Sequence, residues 1–125
     1  MDNEKMIVLL VEDSPIIRDR LMNMLQEMKN IERIFQAGNY EEAVEILSLQ
    51  PANVLILDIG LPGKSGIDLL RTIDQRQYKL SIIVFTNQAD EYYRKLCLSL
   101  GAHYFLDKTK DFDKIPALIA DIQKN

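Results

Sequence analysis

The chain is predicted to fold as a doubly wound α/β domain, with a five-stranded parallel sheet in the order 2-1-3-4-5 and helices on both faces. Three observations predict it. Short apolar runs of strand length alternate with segments of helical period along the whole chain. The connections are short, with no repeats, low-complexity tracts or linker, which favours right-handed crossovers and hence parallel strands. Finally, acidic residues end two fully apolar runs: Glu12-Asp13 follow Met6–Val11, and Asp58 follows Val54–Leu57. Ligands of open α/β sheets bind at strand carboxyl ends, at the switch point of the strand order. That rule makes the first and third strands neighbours.

Each element has its own signal. After a polar lead-in over Met1–Lys5, the first strand is Met6–Val11. Ser14-Pro15 opens a helix, with Ser as N-cap and Pro at the first helical position. Ile17, Leu21, Met24, Leu25 and Met28 recur at helical spacing; core packing explains this stripe better than a methionine-rich binding groove does. Ile31–Ala37 alternates enough to be a strand nearer the sheet edge, and Gly38 breaks it. Asn39 begins the second helix, with Glu42 as its capping-box-like partner. Ala43, Val44, Ile46 and Leu47 form that helix's apolar face, and Pro51 closes it. The third strand, Val54–Leu57, reads as buried on both sides. Ile67, Leu69, Leu70 and Ile73 mark the third helix, predicted to fray over Gln75–Lys79. Ser81–Phe85 is the fourth strand, ending in Thr86. The fourth helix spans about Asp90–Leu100, stopped by Gly101. Tyr104–Leu106 is the fifth strand, and Asp113–Gln123 the last helix.

The 125 residues make one domain, large enough for a real core. A net charge of −4 argues against nucleic-acid binding by this domain, though not by any attached one. The apolar runs are too short to span a membrane, and the N-terminus lacks a signal-peptide pattern. A single cysteine, Cys97, excludes an internal disulfide and fits a reducing cytoplasm. It is read as a half-buried helical residue rather than a redox thiol.

Taken alone, Asp58 is equally a turn residue ahead of Pro62. With the first and third strands side by side, however, three carboxylates converge and repel one another by a few kcal/mol. Oxygen ligands of this kind suit Mg²⁺. Lys108, after Tyr104-Phe-Leu-Asp107, supplies a further positive charge at the end of the fifth strand. Metal and lysine together neutralise the carboxylates and leave a site ready for a phosphoryl group. Glu12 and Asp13 also favour the N-terminus of the first helix. Lys64 reads as exposed, and His103 has no ligand-spaced neighbours.

These residues resemble, in order and on the expected strand ends, the receiver domain of bacterial two-component response regulators. The pattern is Glu12-Asp13, Asp58 with Pro62, Gly66, Thr86, and Gly101-Ala102 with Phe105-Leu-Asp-Lys108, spread over the whole chain. The resemblance implies a flavodoxin-like (βα)5 fold for residues 1–125. It implies that Asp58 accepts a phosphoryl group from a phosphohistidine on a sensor histidine kinase or phosphotransfer protein. It further implies that Asp13, Asp58 and the Gly60 carbonyl bind Mg²⁺ directly, with Glu12 acting through water. Thr86 and Lys108 would hold phosphoryl oxygens, by the positioning and charge neutralisation common to phosphoryl transfer. Thr86 and Phe105 would carry a switch to the surface of the fourth helix, fifth strand and fifth helix, near Tyr92, Tyr93 and Arg94. That face would bind an effector or a second copy. The expected module is cytoplasmic, not an enzyme on external substrates, and either a single-domain regulator or a piece of a longer one.

Two positions depart from the family. Thr109 replaces the usual proline of a cis peptide, and a non-proline cis bond costs about 2.5–4 kcal/mol. Asn87, after Thr86, is larger than the usual residue. Three other readings compete. A small Mg²⁺-dependent aspartyl phosphatase would carry a second Asp where Gly60 stands. An FMN-binding protein would need a phosphate-cradling loop where Val11–Pro15 is acidic. A degenerate receiver, used only for protein–protein interaction, sits poorly with a complete acidic set.

Overall fold

The computed structural model describes residues 5–124, so the polar lead-in, Lys5 excepted, lies outside the described residues. Strands β1 (Met6–Val11), β2 (Ile31–Ala37), β3 (Val54–Leu57), β4 (Ser81–Thr86) and β5 (Tyr104–Asp107) alternate with helices α1 (Pro15–Gln26), α2 (Tyr40–Leu49), α3 (Gly66–Arg76), α4 (Glu91–Ser99) and α5 (Ile115–Lys124). The sheet is parallel throughout, in the order β2-β1-β3-β4-β5, as the acidic strand ends required.

Strand alternation divides the core into two layers. Leu9, Val11, Leu55, Leu57, Ile82 and Val84 face α2, α3 and α4, whose Leu47, Leu69, Leu70 and Cys97 complete that layer. Val8, Leu10, Ile56, Ile83, Phe85 and Leu106 face α1 and α5, where they meet Leu21, Leu25, Ile115 and Ile119. All four β3 residues are buried because helices cover both of its faces. β2, at the edge, is only partly covered.

Local chemistry explains most element ends. Ser14 caps α1 by accepting the Ile17 N–H, with Pro15 at the first helical position. Asn39 caps α2 through the Glu42 N–H, but the Glu42 carboxylate reaches back to the N–H of Gly38, not of Asn39. The full capping box belongs to α3, between Ser65 and Asp68. α3 does not fray. It runs to Arg76 and stops where Gln77 turns left-handed (φ 57°) and the Tyr78 N–H reaches the Ile73 carbonyl. No glycine marks that cap, so the sequence conceals it. β5 extends to Asp107, and a 3₁₀ turn over Phe112–Lys114 precedes α5. Cys97 is fully buried, not half-buried, because α4 places it in the core layer that α2, α3 and α4 form against the sheet.

Candidate functional site

Backbone hydrogen bonds place the strand-end residues one rung beyond their ladders. The Glu12 N–H donates to Ala37 O (3.0 Å), the Asp58 N–H to Val11 O (3.0 Å), and the Lys108 N–H to Thr86 O (3.1 Å). The carboxyl ends of four adjacent strands therefore carry Glu12, Asp58, Thr86 and Lys108. Among the described residues, the buried polar or charged residues are Glu12, Asp58 and Thr86, and the side chain of Lys108 is as buried as that of Asp58. Each was singled out from the sequence. Burying such groups is costly without partners, and here partners are supplied.

The Lys108 ammonium lies 2.7 Å from Asp58 Oδ2 and 2.7 Å from Glu12 Oε1. Asp58 Oδ1 accepts the Gly60 N–H (2.9 Å), and Glu12 Oε2 accepts the Ser14 N–H (3.0 Å). Burial pushes the Glu12 carboxyl above its ordinary value; its hydrogen bonds to Lys108 and Ser14 only partly offset that. Burial would lower the Lys108 pKa, but hydrogen bonds to Asp58 and Glu12 raise it above the ordinary lysine value. Asp13 stands exposed beside them. Carboxylate oxygens of Glu12, Asp13 and Asp58 all lie within 4.8 Å of one another. A hard divalent cation such as Mg²⁺ fits this all-oxygen donor set, since it needs only one or two carboxylates and keeps water.

The pairing of Lys108 with Glu12 was not foreseen. Nor was Arg18, whose Nη1 donates to the Glu12 carbonyl (3.1 Å) from α1 and steadies the acidic turn. An Arg one turn into a helix that follows an acidic pair is the signal that could have shown it. Gly66 has a steric role. A Cβ there would stand 2.5 Å from Ile59 Cα and 2.7 Å from the Asp58 carbonyl oxygen, so α3 can begin this close to the loop only with glycine.

The Thr86 hydroxyl accepts the Gln88 N–H (3.1 Å), and Asn87 is exposed. Phe105 is half-buried against the α2-α3-α4 layer, on the opposite face of β5 from Leu106. Tyr92 is 70% exposed, with its ring edge-on to half-buried Tyr93, and Arg94 pairs with Glu91. Lys64 is exposed, its Nζ 4.8 Å above the Tyr40 ring. His103 sits at the other end of the sheet, where its Nδ1 accepts the Ile82 N–H (3.0 Å) and closes the start of β5 against β4. No cis peptide occurs among the described residues, so Lys108–Thr109 is trans.

Comparison with known proteins gives a consistent picture. A family model for the response regulator receiver domain matches residues 8–120. The Fimbriae Z protein of Salmonella typhimurium is 30% identical over 108 residues, covering 86% of this chain and 51% of that protein. The protein-glutamate methylesterase/protein-glutamine glutaminase of Clostridium acetobutylicum is 35% identical over 107 residues, 84% of this chain and 31% of that one. The chain thus spans about half the length, or less, of these curated relatives. Among solved structures, the isolated REC domain of RcsB from Salmonella enterica serovar Typhimurium, in the presence of phosphomimetic BeF3-, superposes with a TM-score of 0.90. It is 25% identical, over 98% of this chain and 91% of that one. No helix among the described residues is long and apolar enough to cross a membrane.

Proposed function

The chain belongs to the response regulator receiver domain family of two-component systems, and from that premise we propose that Asp58 is its phosphoacceptor. One observation carries the assignment: Glu12, Lys108 and Asp58 form a buried ion triplet at the strand ends, with Asp13 at its edge. An Asp58 carboxylate oxygen attacks the phosphorus of a phosphohistidine on a histidine kinase or phosphotransfer protein. The P–O bond forms as the P–N bond breaks, and the electron pair returns to the imidazole. Lys108, already on Asp58, pairs with the incoming phosphoryl oxygens.

Asp13, Asp58 and the Gly60 carbonyl would hold Mg²⁺ directly, and Glu12 would do so through water. When bound, the ion neutralises charge on the phosphoryl oxygens. The module acts on no external metabolite, because Gly60 stands where an aspartyl phosphatase would keep its second Asp. Its setting is the cytoplasm.

The output follows from the new charge. A phosphoryl group brings roughly −1.5 to −2 charge and strong acceptor oxygens. Thr86 exchanges its Gln88 N–H bond for the phosphoryl group, and Phe105, which has no hydroxyl to guide it, packs inward behind it. The α4-β5-α5 surface around Tyr92 is thereby remodelled to bind an effector or a second copy.

Intact mass after treatment with a small acyl phosphate tests the acceptor. One phosphoryl group is expected, dependent on Mg²⁺ and absent from Asp58→Asn. Undiminished labelling of that variant would overturn the assignment. Amide exchange with and without the label should change at Phe105 and α4; changes confined to α1 and α2 would refute the route.

A further inference from the structure

The turn that carries Lys108 is built differently from what Thr109 alone suggested. A lysine side chain has four rotatable bonds, so the place of its ammonium depends first on where its backbone starts. Here two carboxylates tie that backbone down. Asp107 Oδ1 accepts both the Thr109 N–H (2.8 Å) and the Thr109 hydroxyl (2.7 Å). Asp111 Oδ2 accepts the Asp107 N–H (2.9 Å), while the Asp111 N–H returns to the Asp107 carbonyl (2.9 Å). Lys114 Nζ in turn holds Asp111 Oδ1 (2.9 Å).

We propose that Asp107 and Thr109 are positioning residues for Lys108. Their side-chain hydrogen bonds set the 107–111 turn and so hold the ammonium between Glu12 and Asp58. In its reaction arm this inference rests on Asp58 being the acceptor. Two features support it. The turn closes on Thr109, so a hydroxyl and a carboxylate do the bracing locally. Both carboxyls are also held below their ordinary values: Asp107 chiefly by the Thr109 hydroxyl, Asp111 chiefly by the Asp107 N–H. They therefore stay ionised, as strong acceptors, over the working pH range.

The test compares Thr109→Val, which keeps shape and N–H but loses the hydroxyl, with Thr109→Ser, which restores it. The first readout needs no phosphorylation: the ¹H–¹⁵N correlation of the Lys108 ζ-ammonium in the free protein. The second is the maximal rate of Asp58 labelling by acyl phosphate at saturating Mg²⁺. In Thr109→Val the ammonium signal should broaden or vanish, and labelling should slow about three- to ten-fold, the scale of one lost hydrogen bond. Half-saturation by Mg²⁺ should be unmoved, and Thr109→Ser should recover both readouts. A Thr109→Val protein with the wild-type ammonium signal and wild-type rate would overturn the proposal, whatever its melting temperature. If the wild type takes no label at Asp58, the acceptor assignment falls, and the ammonium signal alone still upholds or overturns the positioning role.

Discussion

Replacing Lys108 by Met keeps most of the side-chain stem and removes only the charge that two buried carboxylates share. The Lys108 side chain is 7% exposed, with Glu12 at 2% and Asp58 at 8%, and both contacts are 2.7 Å. Removing one partner of a buried ion pair costs about 3–5 kcal/mol because the remaining charge stays buried and unmatched. Here two charges are left facing each other, against a total stability of about 5–15 kcal/mol for a typical domain. The sign with pH follows from Glu12. Burial already holds its folded pKa above the ordinary value, and Lys108 is the chief influence pulling it down. In Lys108→Met the folded state binds the Glu12 proton more readily than the unfolded chain does. The Glu12 contribution to stability is then fully present below the unfolded value of about 4.3 and is lost as pH rises through the raised folded value. The deficit against wild type should be largest at pH 7 to 8 and shrink toward pH 4. Urea titrations followed by circular dichroism, at several pH values, measure it. Adding Glu12→Gln to Lys108→Met should restore about 1–3 kcal/mol, by removing one buried unmatched charge. Coincident midpoints at pH 7, or a deficit that ignores pH and deepens with Glu12→Gln, would refute the reasoning.

Other outcomes follow from the same geometry. Asp13→Asn should weaken Mg²⁺ binding by at least about ten-fold, since even outer-shell partners of metals are worth about 10–100-fold. Asp19→Asn, on the exposed side of α1, should leave a fluorescence or calorimetric titration unchanged; equal losses would mean the site is misplaced. Gly66→Ala forces its Cβ against the backbone of Asp58 and Ile59 and should cost about 1–3 kcal/mol in urea. Gly60→Ala meets nothing closer than 3.6 Å and should cost far less by the same measurement. Cys97 is fully buried, its thiol pushed up to about 11 by desolvation. It should resist thiol reagents at pH 8 until urea opens the fold, and fast labelling of the native protein would contradict that burial.

Periodicity and punctuation carried most of the architecture in the sequence. The five strands, their order and the five helices follow from runs such as Met6–Val11 and Val54–Leu57 and from caps such as Ser14-Pro15 and Asn39. These are local signals, readable because side-chain period and turn chemistry act within a few residues. The acidic strand ends and Lys108 were legible for a related reason. A charge directly after an apolar run has nowhere to go but the sheet's carboxyl edge. What the sequence could not determine was how those charges pair. Glu12 and Lys108 are brought within 2.7 Å only by the order of strands that are themselves far apart in the chain. The Gln77 cap hid because it lacks glycine, and full burial of Cys97 depended on how α4 packs on the sheet. The bracing of Lys108 by Asp107, Thr109 and Asp111 is short in sequence, yet no spacing rule announces it. Hydrogen bonds depend on direction and on tenths of an ångström, and only the folded backbone supplies those.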